Sequence, residues 1–100
     1  MEVRFKSRKL QLLFEKDEGA AKYPAGVADA FTGIVQYIQA SANEQDLYAM
    51  KSLRFEKLKG PRGKQDERSL RLNDQFRLIV KIEETDEGRY IQILRIEDYH

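Results

Sequence analysis

Apolar residues Val27, Ala30, Phe31, Ile34, Val35 and Ile38 fall at offsets 0, 3, 4, 7, 8 and 11, one stripe along an amphipathic helix that begins just after Pro24. A shorter helix is predicted over Ser7 to Glu15, with Leu10, Leu13 and Phe14 on one face and Ser7 as its N-cap. The loop from Gly19 to Pro24 folds the two into a hairpin. After Met50 the period drops from about 3.6 towards about 2. Residues 52–58 set Leu53 and Phe55 against Arg54 and Glu56; Ser69-Leu-Arg-Leu and Phe76-Arg-Leu-Ile-Val-Lys-Ile follow as further strands. A Thr85-Asp-Glu-Gly88 turn then leads into Tyr90-Ile-Gln-Ile-Leu-Arg-Ile, apolar at nearly every position, as expected of a strand covered on both faces. Helices first and hairpin-linked strands afterwards predict an α+β fold: two N-terminal helices packed on one face of a small, mainly antiparallel β-sheet.

The chain has 100 residues, 41% hydrophobic and 35% charged, which fits one domain spanning residues 1–100. With no cysteine there is no disulfide, thiolate nucleophile or Cys-ligated zinc, and the single histidine, His100, leaves no multi-His metal cluster. No cofactor or metal is expected. The first residues, Met1-Glu-Val-Arg-Phe-Lys, begin with charges and lead into no signal-like or membrane-spanning apolar run, so a cytoplasmic protein is expected.

The formal net charge of +1 conceals a segregation. Residues 1–50 carry 6 basic and 7 acidic side chains, residues 51–81 carry 10 and 4, and residues 82–100 carry 2 and 6. A basic sheet segment is a footprint for a polyanion or an acidic protein partner. The strand register sharpens this. With Leu70, Leu72, Leu78, Val80 and Ile82 facing the helices, Arg71, Arg77 and Lys81 face away. A three-residue loop at Asn73-Asp74-Gln75 pairs Leu70 with Leu78 and Arg71 with Arg77, whereas a two-residue loop breaks the pattern. Two arginines directly opposed repel each other, and phosphate is the anion their guanidinium forks fit best.

Gly60-Pro-Arg-Gly63-Lys64-Gln65 lacks the glycine spacing and the following Ser or Thr of a nucleotide P-loop, and reads as a turn whose Lys59, Arg62 and Lys64 are compatible with phosphate contacts. The chain ends Glu97-Asp98-Tyr99-His100. A histidine beside a tyrosine and a carboxylate, near two arginines and a lysine, supplies what RNA cleavage needs: a base for the 2′-OH, cations for charge on phosphorus, and an acid for the departing 5′ oxygen. Glu56 and Asp98 can equally serve as ion-pair partners of the nearby cations.

Leu10-Gln-Leu-Leu-Phe-Glu15, Lys57-Leu-Lys-Gly60, Ser69-Leu-Arg-Leu-Asn-Asp-Gln-Phe-Arg-Leu78 and the terminal Asp98-Tyr-His100, taken in order, resemble HigB-type toxins, the plasmid-maintenance killer proteins of the RelE/ParE toxin superfamily. The resemblance implies a RelE-like fold and a metal-independent, ribosome-dependent endoribonuclease (mRNA interferase). Such an enzyme acts on mRNA in the ribosomal A site beside 16S rRNA, inhibits translation, and is silenced by a HigA-like helix-turn-helix antitoxin. It places catalytic roles on Lys59, Arg77, Tyr99 and His100, with Asp98 preceding them and Arg71 nearby. Arg54, Lys57, Arg62, Lys64, Arg68 and Lys81 are the candidate RNA contacts. One departure stands out: Glu56 occupies the position where relatives often carry histidine. A carboxylate there can act as base, yet it repels phosphate. The alternative is a non-catalytic or degenerate member of the fold that acts by binding protein.

Overall fold

The computed structural model describes residues 1–61 and 65–98. The two predicted helices form where the stripes place them. Helix α1, Arg8–Lys16, is capped by Ser7, whose Oγ accepts from the Leu10 amide at 3.3 Å, and it ends on Asp17 in the left-handed conformation. An N-cap of this kind is worth about 1 kcal/mol. Ser7→Ala is therefore expected to lower Tm by roughly 4–8 °C in a domain this size, read by thermal denaturation monitored by circular dichroism.

Helix α2, Val27–Ala40, buries Val27, Ala28, Phe31, Ile34, Val35 and Ile38, with Ala30 partly buried against the same core. Gly26 precedes it at φ 88°, a backbone that glycine adopts without strain. A third helix, α3 (Glu44–Ala49), has no counterpart among the predicted elements. It is too short for periodicity, and its visible signals are local: Asn43 Oδ1 accepts from the Gln45 amide at 2.9 Å, Glu44 and Asp46 lie in the positive first turn, and Leu47 alone is buried.

The sheet has five strands: β1 (Glu2–Phe5), β2 (Glu56–Lys57), β3 (Glu67–Arg71), β4 (Phe76–Thr85) and β5 (Gly88–Asp98), in the order β1-β5-β4-β3-β2. All neighbours are antiparallel except β1 against β5. Strand β1 was not among the predicted elements. The strand expected over 52–58 is corrected: Lys51–Leu53 form a 3-10 turn, Arg54 is left-handed, and only Glu56 and Lys57 pair with β3. Leu53 and Phe55 are both buried, which made their alternation look like one continuous strand.

Strand β5 is also corrected. Helices α1–α3 lie against one of its faces, and it carries a bulge: Ile79 pairs with Arg95 while Val80 pairs with Ile93, leaving Leu94 as the extra residue. Counting by twos from Ile91 and Ile93 puts Arg95 in the core. The bulge reverses that, turning Ile96 inward and Arg95 to the open face. The core lies between the helices and the inner face, with Phe31, Val35, Ile38, Leu70, Leu78, Val80, Ile91 and Ile93 completely buried. Helices α1, α2 and α3 leave the opposite face to strand side chains, among which Ser69 and Ile79 are buried.

Candidate functional site

Cross-strand partners share a face, so the open face can be read in rows. Arg71, Arg77 and Glu97 make the row at the Asn73–Gln75 turn. Glu56, Ser69, Ile79 and Arg95 make the next, and Glu67, Lys81, Gln92 and Arg4 the third.

The opposition of Arg71 and Arg77 is as expected, and the chain itself relieves the repulsion. The Arg71 guanidinium pairs with the Asp74 carboxylate, and Arg77 Nη1 donates to the carbonyl oxygens of Asn73 at 2.7 Å and Phe76 at 3.2 Å. The turn that presents both is fixed by Asn73, whose Oδ1 accepts from the amides of Gln75 at 2.8 Å and Phe76 at 2.7 Å. Asp74 is 97% exposed, so its pair with Arg71 is worth roughly 0–1 kcal/mol, little enough for an incoming phosphate to displace.

The second row was not legible beforehand. Arg95 bridges Glu67 at 2.7 Å and Glu97 at 2.8 Å, and shares its row with buried Ile79 and Ser69. Burial acts to lower the pKa of Arg95, and its hydrogen bonds to Glu67 and Glu97 outweigh this, so the net direction is upward. Arg95 is thus a permanent cation that ties three positions of the open face together. The signal for it was an arginine interrupting an apolar run at core parity.

The remaining candidates separate. Glu56 is exposed and diagonal to Arg71, at roughly 7–8 Å by strand geometry. Asp98 stands in register with Phe76, on the helix-face parity, and accepts from Gln75 Nε2 at 3.2 Å. Lys59 lies towards the other end: the Leu58 amide bonds the Glu67 carbonyl at 3.0 Å, and Glu67 and Arg71 are four positions, about 13 Å, apart along β3. Lys81 is on the open face beside Glu83 at 3.3 Å, and Lys57 approaches Asp66 at 3.6 Å. Arg68 does not share the face of the arginine row. It has the parity of Leu70, points to the helix side, is 17% exposed, and bonds Glu44 at 3.0 Å and the Tyr48 hydroxyl at 3.3 Å. Arg62, Lys64, Tyr99 and His100 lie outside the described residues.

A cleft of about 440 Å³ lies away from this arginine row, lined by Glu44, Asp66, Arg68, Lys81, Glu84 and Arg89 among others. Its charges are largely spent on each other, Glu44 holding both Arg68 and Arg89, and Arg89 holding Glu84 at 2.7 Å. An RNA strand needs an open, cationic face rather than such a cavity, so the arginine row is the better candidate. Among the described residues no three His, Cys, Asp or Glu side chains gather as metal ligands, and no helix is long and apolar enough to cross a membrane.

Three described helices on one face of a five-stranded, mostly antiparallel sheet, with arginines on the other face, define a small α+β fold. The chain is similar to a YoeB/ParE toxin from Agrobacterium tumefaciens, with a TM-score of 0.61 over 100% of both chains at 10% identity, a likeness of fold alone. No curated protein matches it. Residues 3–98 match the HigB-like toxin family, described as RelE-like toxin of type II toxin-antitoxin system HigB, and the chain belongs to that family. Ribosome-dependent mRNA cleavage is typical of these toxins, and membership implies an antitoxin partner and a translation-related target.

Proposed function

We propose that the protein is a metal-independent endoribonuclease that cleaves mRNA in the ribosomal A site, works in the cytoplasm, and is silenced by a HigA-like helix-turn-helix antitoxin. The observation that supports this reading is the opposed Arg71–Arg77 pair on the face opposite helices α1–α3, presented by the Asn73–Gln75 turn, with Arg71 paired to an exposed Asp74 and Arg77 bonded to backbone carbonyls of the turn.

In this reading the two guanidiniums hold the scissile phosphate and stabilise the charge that builds on it. The 2′-OH attacks phosphorus, its proton passes to a base, and the 5′ oxygen leaves with a proton from an acid. His100 supplies acid or base chemistry, and Glu56, diagonal to Arg71, is the second candidate base. Tyr99 stacks on a base, and Asp98 anchors the end of β5 through Gln75. Lys59 contributes longer-range positive potential.

Mapping of transcript ends by primer extension after induction tests this. Cuts inside translated reading frames are expected, and deletion of Tyr99 and His100 is expected to remove them without unfolding the domain. Glu56 on the open face favours a second reading, a non-catalytic binder, since its carboxylate opposes RNA. Growth arrest with intact mRNA is the result that selects it.

A further inference from the structure

Glu97 puts a carboxylate into a row that otherwise gathers positive charge. It stands in register across from Arg77, and cross-strand partners have Cβ atoms about 4.5–5.5 Å apart. A carboxylate turned towards Arg77 at that distance competes with phosphate for the guanidinium fork. Arg95 draws on the same carboxylate. Its Nε donates to Glu97 Oε2 at 2.8 Å, along β5 rather than across to β4. Its Nη2 donates to Glu67 Oε1 at 2.7 Å on β3, so the side chain reaches over β4, about two strand spacings or roughly 10 Å, and is held at both ends.

The two pairs contribute differently. The Glu67 side chain is 11% exposed and needs a partner, so its pair with Arg95 belongs to the packing around Ile79, the buried cross-strand partner of Arg95. The Glu97 side chain is 35% exposed and is hydrated with or without Arg95, so that pair adds little to stability. What it sets is direction, since it draws one oxygen of Glu97 towards β5 and the second row. The bulge at Leu94 is what brings Arg95 and Glu97 to the open face together.

We propose that Arg95 is a positioning residue for the arginine row: by holding the Glu97 carboxylate along β5, it limits how far that carboxylate competes with the scissile phosphate for Arg77. The proposal rests on the endoribonuclease reading. Arg95 acts through Glu97 and not by contact with the message. Its removal therefore has two separable consequences, loss of one positive charge from the face and release of Glu97 towards Arg77. Only the second depends on the charge of residue 97.

The test is a double-mutant cycle, read as mRNA cleavage by the full chain on purified, programmed ribosomes. Arg95→Gln is expected to lower kcat/KM about tenfold with Glu97 present and less than about twofold in a Glu97→Gln background, a coupling of the size that neighbouring residues show. Arg95→Lys, whose ammonium still pairs with Glu97, is expected to recover most of the loss. Should Arg95→Gln fold poorly because Glu67 is left buried and unpaired, the same cycle in a Glu67→Gln background removes that charge and gives the same readout. An equal loss with and without the Glu97 charge assigns Arg95 to the general field or to the fold and overturns the proposal alone, as does an Arg95→Gln variant with unchanged kcat/KM. Glu97→Gln protein that cleaves nothing, with the wild type cleaving, assigns Glu97 to the chemistry itself and also overturns it. Wild-type protein that leaves the message intact overturns the endoribonuclease reading and the proposal with it.

Discussion

Arg77→Ala is expected to reduce mRNA cleavage by about 10²–10³-fold, the scale on which removing one donor from a developing oxyanion acts, and to release cells from growth arrest. The residue sits on the middle strand of the sheet, on the face opposite α1–α3, and its guanidinium is held by two carbonyls of the turn rather than free to wander. Orientation is thus already supplied, which is why its loss should fall on the chemistry. Arg77→Lys should recover only part of the rate, because an ammonium keeps the charge and loses the fork. Neither change touches the helix-packed face, so both variants should unfold cooperatively near the wild-type temperature. Undiminished arrest by Arg77→Ala would remove the arginine row from the site.

Phe31→Ala should have the largest effect on stability. Phe31 is 0% exposed in the first half of α2, and truncating a buried phenylalanine costs about 3–5 kcal/mol. Domains of this size hold only about 5–15 kcal/mol in total. Urea unfolding should show a midpoint lowered by a large fraction, and toxicity should weaken through loss of folded protein. Phe31→Leu, which keeps most of the volume, should retain most of both. A variant as stable as the wild type would mean that the core does not close on this residue.

Much of this architecture was legible because the responsible residues are numerous and local. The six-residue stripe of α2 and the Ser7 cap needed no tertiary information, and the three-residue turn at Asn73–Gln75 fixed the opposition of Arg71 and Arg77 by parity alone. What stayed hidden depended on distant partners or on single-residue irregularities. Strand β1 is four residues long and exists because β5 lies beside it, although the alternation of Glu2, Val3, Arg4 and Phe5 was there to be seen. The Leu94 bulge alone decides that Arg95 joins the open face. Arg68 was assigned to RNA on charge, while its parity with Leu70 and Leu72 already pointed to the helices. Lys59 came from resemblance to the family, and the Leu58–Glu67 hydrogen bond sets it well along the strand from the arginine row.

The parallel pairing of β1 with β5 also sets an order of events during synthesis. Glu2 lies beside Tyr90 and Phe5 beside Ile93, so the first strand waits for nearly the whole chain before it has a neighbour. Strand β5 is also the partner of β4, so until it is made the sheet lacks its longest pairing as well as the neighbour of its first strand. Contacts so far apart in sequence form late and slowly. The nascent polypeptide therefore cannot assemble the arginine row in its finished frame while most of it is still being translated.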